Sequence, residues 1–465
     1  MTTETTAAGA RTADAGPRFA DGGFALRLLA RHQYVACVSL FYLYMLAPSR
    51  VQEELALFRL AAPPAATAFG LGYPSFTILD LAMLVLGGVV LAGSRRRRAL
   101  GATNWSLIIY VSLCILCAAA AWAFHRLGVA PAPYGDSALS ALRVLAAYVL
   151  FAAIPCDSRA RARHVQNGLA LLFLTSLALN LAGFANPATS SNEAGRLNVS
   201  GLDFTTTSYF GCVLALSALT LSRGLRLLVL FGVGLLGVAM GGSRNAVAIV
   251  IPALALVTFQ RYTLRRQTIA AFSAAAIVLL PLALGAPLAI EKLPLLRRSL
   301  DDSVYYRTRP VLTPLARSTF PGVGRLPMDE PAIIGRINTW ASGVELLRRS
   351  RGVPLGSDWT VQQGLAPLGV PSHAHSGYLQ TALKFSLLAV ILWASWAWAA
   401  WSGLRARSPY SAVIVFLLLS LCVDYWLLVT KATFLLFAFI RLDDLWRADH
   451  AAPAAVRASA DAQAP

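Results

Sequence analysis

Residues 104–124 read NWSLIIYVSLCILCAAAAWAF, with no Asp, Glu, Lys or Arg among them. A helix needs about 20 apolar residues to cross the hydrocarbon core of a bilayer, and this run meets that length without a charge. Four arginines, 95–98, stand just before it. The same alternation of apolar run and arginine cluster recurs on both sides. It accounts for a chain of 465 residues that is 57% hydrophobic, with mean hydropathy +0.60 and only 13% charged residues. Soluble domains carry about 25% charged residues. The sequence therefore predicts that lipid is the solvent for most of the chain.

The net charge of +18 is high enough to raise nucleic acid as a partner. The arginines, however, cluster between apolar runs, which is the topological signature of a membrane protein, so no nucleic acid is expected. The six cysteines lie in or beside apolar runs and read as small core residues rather than disulfides. The first 23 residues are polar and read as a disordered cytoplasmic tail rather than a cleaved signal peptide.

Apolar runs are predicted to span at 33–46, 76–91, 104–124, 138–154, 165–184, 204–221, 225–240, 246–259 and 268–290. Three more follow at 378–401, 411–424 and 426–440, the last two read as separate helices. Arginine clusters at 95–98, 159–163, 223–226, 261–266 and 405–407 mark every second loop. That asymmetry places both termini and these loops in the cytoplasm. The predicted fold is all-α, a polytopic transmembrane bundle of about twelve spans with a large, partly helical periplasmic loop. The predicted organisation is a tail to residue 23, a membrane region over 24–290, the loop over 291–375, a second membrane region over 376–442, and a cytoplasmic tail over 443–465. The end from Ala451, like the first residues, belongs to tails rich in Ala, Thr and Pro and reads as disordered.

The loop at 291–375 is far longer than a connection requires, so it is a functional suspect. From Glu291 to Asp358 it holds ten Arg and Lys292 against seven acids. That balance points to an anionic ligand on the outer side, or to a face resting on anionic lipid headgroups. Within it, 335–349 is predicted to form an amphipathic helix, with Ile337, Trp340, Ala341, Val344 and Leu347 at helical spacing. Trp340 falls one turn after Arg336, on the same face. His373 and His375 stand where the loop enters the next span, with a helix expected to begin near Ser376. The positive end of a helix dipole favours a neutral imidazole, the form that accepts a proton. A His-x-His pair also suits a metal, but no third His or Cys is near in sequence, so no metal and no cofactor is expected. Arg196, Arg244 and Arg336 share the outer side with the two histidines. A lone interfacial arginine usually only snorkels, whereas converging guanidinium forks suit a diphosphate.

Ser243-Arg244, Arg336-x-x-x-Trp340, Pro354-Leu355-Gly356 and the run 373–379, HAHSGYL, occur in this order on one side of the membrane. Together with GRLNVSG at 195–201, they resemble the core of the O-antigen ligase and O-antigen (exopolysaccharide) polymerase superfamily of bacterial inner-membrane proteins. The resemblance covers residues 186–391. Ser376 stands where that family commonly has Asn, and Ser386 where it often has Gly. The resemblance implies inverting, metal-independent transfer of a glycan from an undecaprenyl-diphosphate carrier. It makes His375 the catalytic residue and Arg196, Arg244 and Arg336 the carrier-phosphate residues, with His373 and Trp340 beside them. It implies as partners the lipid-linked glycan donor, a glycan or lipid A-core acceptor, membrane lipid and other polysaccharide-assembly proteins.

Two rivals have sequence features of their own. A metal-dependent membrane glycosyltransferase would place acids in its first outer loop, where Glu53 and Glu54 lie, although 51–60 also reads as an interfacial helix. A lipid-linked oligosaccharide flippase would need intramembrane charges and interrupted helices. Among intramembrane charges only Lys431 stands out in the sequence, and it reads as a residue near a helix end. A reporter active only outside the cytoplasm is expected to be active when fused after Arg317 and silent after Arg98 or Arg407. Activity after Arg98 would overturn the orientation.

Overall fold

In the computed structural model, the described residues are 24–47, 55–60, 75–93, 104–128, 134–181, 204–241, 243–260, 331–368 and 374–461. Among them the chain is mostly helical. The helices are α1 (Phe24–Leu46), α2 (Ile78–Gly93), α3 (Trp105–Arg126), α4 (Asp136–Ala153), α5 (Ser158–Leu181), α6 (Phe204–Leu221), α7 (Gly224–Gly241) and α8 (Arg244–Gln260). The long loop holds α9 (Pro331–Arg349) and α10 (Asp358–Leu365), and it is followed by α11 (Gly377–Phe385), α12 (Ala389–Arg405), α13 (Ser411–Ser420) and α14 (Thr430–Asp461). Three segments are long and apolar enough to cross a membrane: Trp105–Arg126, Asp136–Ala153 and Gly377–Arg405. Shorter apolar helices accompany them, and the run expected at 268–290 lies outside the described residues.

The outer faces of these helices are apolar too. Val85 and Val89 on α2, Ile115 and Leu116 on α3, and Val390 and Ile391 on α12 are exposed. Apolar surface on this scale is what lipid covers. Trp105, Trp122, Trp398 and Trp401 are also exposed, near helix ends where an aromatic belt meets headgroups. Lipid supplies no hydrophobic force between helices, so close backbone approach must do the packing. The tightest pairing, α6 against α7, depends on glycine. A Cβ on Gly211 would lie 2.6 Å from the Gly234 carbonyl oxygen, and one on Gly234 would lie 2.8 Å from the Gly211 carbonyl oxygen.

The helix α14 runs through the middle. Phe434, Leu435, Leu436, Phe437, Ala438 and Phe439 are buried on every side, so this stretch has no lipid face. Phe41, Phe151 and Phe434 gather with ring centroids 5.6 to 6.0 Å apart. Asn104 caps α3 through the Leu107 N–H at 3.0 Å and donates its own amide to the Phe437 carbonyl at 2.9 Å. Lys431 is buried near the start of α14, donating to the Met45 and Ala47 carbonyls at 2.9 and 2.8 Å. It satisfies the last carbonyls of α1, where a cation is favoured by the helix dipole.

Several expectations are corrected. The interfacial helix expected at 51–60 is not seen in its described part, 55–60: Ala56–Arg59 forms strand β1, antiparallel to β2 (Ser75–Thr77). Phe58 faces Phe76 across the ribbon with stacked rings 5.5 Å apart, and such cross-strand aromatic pairs hold a short ribbon together. Extended backbone also suits Thr77, whose hydroxyl and N–H bond Asp80 while Asp80 N–H returns a bond at 3.1 Å, capping α2. The described fold is therefore not purely α. The span predicted at 378–401 falls within the candidate span Gly377–Arg405, although a turn of 3₁₀ helix, Ser386–Leu388, divides it into α11 and α12. The backbone of α14 stays helical to Asp461, into the disordered tail expected from Ala451, because alanine is the strongest helix former. The runs 411–424 and 426–440 do belong to two α-helices, separated by a turn that ends in a short 3₁₀ segment, Trp426–Leu428. Gly211→Ala is expected to force α6 and α7 apart and cost about 1–3 kcal/mol. A lowered thermal midpoint in detergent, with the apolar Gly88→Ala as the tolerated control facing open space, checks this.

Candidate active site where the long loop enters the membrane

Ser376 begins α11 as its N-cap, accepting the Leu379 N–H at 3.4 Å. Ser and Asn cap helices about equally well, which accounts for a Ser at this position. Gly377 N–H is shared by the Leu421 and Asp424 carbonyls at 2.6 and 2.9 Å, in the turn between α13 and α14. A Cβ on Gly377 would lie 2.5 Å from the Leu421 side chain, so the close approach requires glycine. Tyr378 adds a bond from its hydroxyl to the Leu418 carbonyl at 3.1 Å. The head of α11 is thus pinned to the end of α13.

His375 precedes the cap, with φ +47°, in the left-handed region that costs a non-glycine residue about 1–3 kcal/mol. Its carbonyl accepts the Trp340 indole N–H at 3.2 Å. That bond joins α9 to the head of α11. Gly343, one turn beyond Trp340, allows the contact: a Cβ there would meet Leu379 at 2.6 Å. Trp340 itself remains exposed. Glu345 draws both Arg348 and Arg349 to itself at 2.9 and 2.8 Å, so the last-turn cations of α9 are paired locally.

The Pro354-Leu355-Gly356 segment has a backbone role. Leu355 N–H bonds the Leu383 carbonyl at 3.2 Å and Gly356 N–H bonds the Lys384 carbonyl at 3.0 Å. These carbonyls are freed where α11 stops. Gly356 sits at φ +71°, and a Cβ there would lie 2.6 Å from the Cys117 carbonyl oxygen of α3. Ser386, at the break, has φ +55° and bonds the Gly352 carbonyl through its hydroxyl. A left-handed residue is where glycine is most at ease, so Ser386 holds a backbone conformation that favours glycine.

Below this lies a cluster that the sequence did not announce. Lys384 was hidden within an expected span, so Lys431 is not the sole intramembrane charge. The Lys384 ammonium contacts the Asp358 carboxylate at 2.9 Å, both side chains fully enclosed. Asp358 also accepts from Tyr425 OH at 2.6 Å, Gln380 Nε2 at 3.3 Å and Ser137 Oγ at 3.1 Å. Asp136 at the head of α4 accepts the Asp358 and Trp359 N–H groups at 3.2 and 3.4 Å, at the N-terminus of α10. Burial by itself raises the Asp358 carboxyl; the Lys384 ammonium and the bonds from Tyr425, Lys384 and Gln380 outweigh it and hold it below the usual carboxylate value. An isolated Lys in an apolar run, with an Asp heading a neighbouring span, was the available signal.

The predicted site residues are brought together unequally. His375 and Trp340 meet directly, and Arg336 lies four residues before Trp340 on α9. Arg244 is the first residue of α8, which packs along α13, the helix whose C-cap Leu421 holds Gly377. Arg196 and His373 lie outside the described residues. Compared with known proteins, the chain matches no family model and no curated protein.

Asp358→Asn or Lys384→Met alone is expected to cost about 3–5 kcal/mol, because each leaves its partner buried and uncompensated. Changing both to apolar residues is expected to restore part of that loss. Because the folded Asp358 value is depressed, its stabilisation is present above the ordinary carboxylate pKa of about 3.9 and fades as pH falls through the folded value. Thermal midpoints against pH, wild type beside Asp358→Asn, measure both effects.

Proposed function

We propose that this chain is a multi-pass enzyme of the bacterial inner membrane, with about twelve spans and both termini cytoplasmic. On this reading it transfers a glycan from an undecaprenyl-diphosphate carrier to an acceptor hydroxyl on the periplasmic face. The acceptor is either lipid A-core, as in an O-antigen ligase, or a second carrier-linked glycan, as in a polymerase. The observation that carries the proposal is the Trp340–His375 bond, because it joins two separated pieces of the resembling motif at one point.

The chemistry assigns each group a task. His375 takes the proton of the acceptor hydroxyl as its oxygen attacks the anomeric carbon. The bond from that carbon to the diphosphate oxygen breaks with inversion, and the diphosphate leaves with the electron pair. Arg196, Arg244 and Arg336 stabilise that growing negative charge, which a guanidinium does without losing its proton. Proton removal by a positioned His is worth about 10²- to 10⁴-fold.

A second reading, a lipid-linked oligosaccharide flippase, is favoured by one observation. The α11–α12 helix is interrupted beside a buried charge pair, a feature common in transporters. Proteoliposomes holding a lipid-diphosphate-linked glycan separate the two by scoring transfer and translocation together. His375→Ala is expected to bind donor yet lose about 10²-fold or more of transfer. Arg244→Lys and Arg336→Lys are expected to be poorly tolerated, since lysine lacks the fork. Translocation without transfer, unchanged in His375→Ala, would establish the flippase instead.

A further inference from the structure

The strained backbone at His375 is held from two directions, and only one of them lies on the exposed side. Trp340 grips the His375 carbonyl at 3.2 Å. From beneath, Gln380 Oε1 accepts the Ala374 N–H at 3.1 Å while its Nε2 donates to Asp358 at 3.3 Å. Gln380 is 1% exposed and Ala374 fully buried. A carboxamide is the one uncharged side-chain group of this length that accepts on one arm and donates on the other. We propose that Gln380 is a positioning residue: its carboxamide couples the buried Asp358–Lys384 pair to the backbone at Ala374 and so holds His375 in its left-handed conformation.

The arrangement is a chain of dependent contacts. Lys384, on the same helix one turn beyond Gln380, and Tyr425 fix the Asp358 carboxylate. Asp358 orients the Gln380 amide, leaving its oxygen turned toward Ala374 N–H. With the Ala374 N–H and the His375 carbonyl both bonded, this two-residue stretch is anchored at both ends, so His375 leaves its left-handed conformation only with a compensating rotation at Ala374. A left-handed residue without such support relaxes toward ordinary backbone, which would swing the imidazole away. The catalytic consequence rests on His375 being the base; the structural consequence does not.

Two substitutions separate positioning from packing. Gln380→Leu keeps the volume and removes both polar arms. Gln380→Glu keeps an acceptor for Ala374 in either protonation state. If Gln380 merely fills space, Leu is tolerated and a buried Glu beside Asp358 is not. Positioning gives the opposite order. The measurements are hydrogen exchange of the peptide covering residues 374–376 in the purified full chain, and kcat and KM for transfer from a lipid-diphosphate-linked glycan. Gln380→Leu is expected to accelerate exchange there without spreading to α13, and to lower kcat by about 10²-fold at unchanged donor KM. Gln380→Glu is expected to stay nearer wild type in both. Faster exchange in Gln380→Leu, in a wild-type chain that transfers nothing, would uphold the positioning and sink the enzymatic reading. Wild-type exchange in Gln380→Leu, or Glu tolerated worse than Leu, overturns the proposal. Should Gln380→Leu not fold, Gln380→Met, also long and without both arms, carries the same comparison.

Discussion

A carboxylate and an ammonium enclosed together in a low-dielectric interior are expensive to place and more expensive to separate. The Asp358–Lys384 pair imposes that constraint here. Its partners come from four separate stretches of chain: Ser137 on α4, Asp358 on α10, Gln380 and Lys384 on α11, and Tyr425 before α14. Apolar packing alone is nondirectional and would let these elements slide. A buried charge with four specific bonds does not, because any shift strands a charge. The pair therefore sets the register of the end of the long loop, and of the helix that follows it, against a helix more than two hundred residues earlier.

The same constraint bears on the irregular backbone around the pair. Within hydrocarbon, a freed N–H or carbonyl costs several kcal/mol unless protein satisfies it. Where α11 ends, the Leu383 and Lys384 carbonyls receive the Leu355 and Gly356 N–H groups. Where the chain turns between α13 and α14, the Leu421 and Asp424 carbonyls share the Gly377 N–H. The two interruptions are satisfied at opposite ends of α11, and Asp358 bonds beside both, to Lys384 next to one and to Tyr425 in the other.

Hydropathy made the described helices largely legible. The 204–221 run coincides with α6, and 104–124 lies within the capped helix headed by Asn104. Helix α9 was visible through the spacing of Trp340, Val344 and Leu347. What escaped is what averages conceal. One Lys hardly changes the mean hydropathy of residues 378–401, so neither Lys384 nor the break at Ser386 registers in a window. The β1–β2 ribbon depends on Phe58 meeting Phe76, a contact between separated segments with no local period. At the candidate site, motif order drew attention to His375 and Trp340, and their junction is direct. Gln380 and Asp358 had no motif, because their importance lies in what they touch.

Strain at a site persists only where the surroundings overdetermine it. His375 satisfies that condition: its carbonyl, the preceding N–H and the following cap are each bonded to a different partner, Trp340, Gln380 and Leu421. A histidine with no task would gain by relaxing, and a glycine would occupy φ +47° at less cost. On the proposed reading the expense has a use. The donor's lipid tail must stay in the bilayer while its sugar meets an acceptor in water, so the reacting carbon can approach from few directions. A base on a mobile loop would sample many orientations for each productive one. A base whose backbone is clamped on both sides has already given up that entropy during folding, and the buried pair beneath it is where that ordering is anchored.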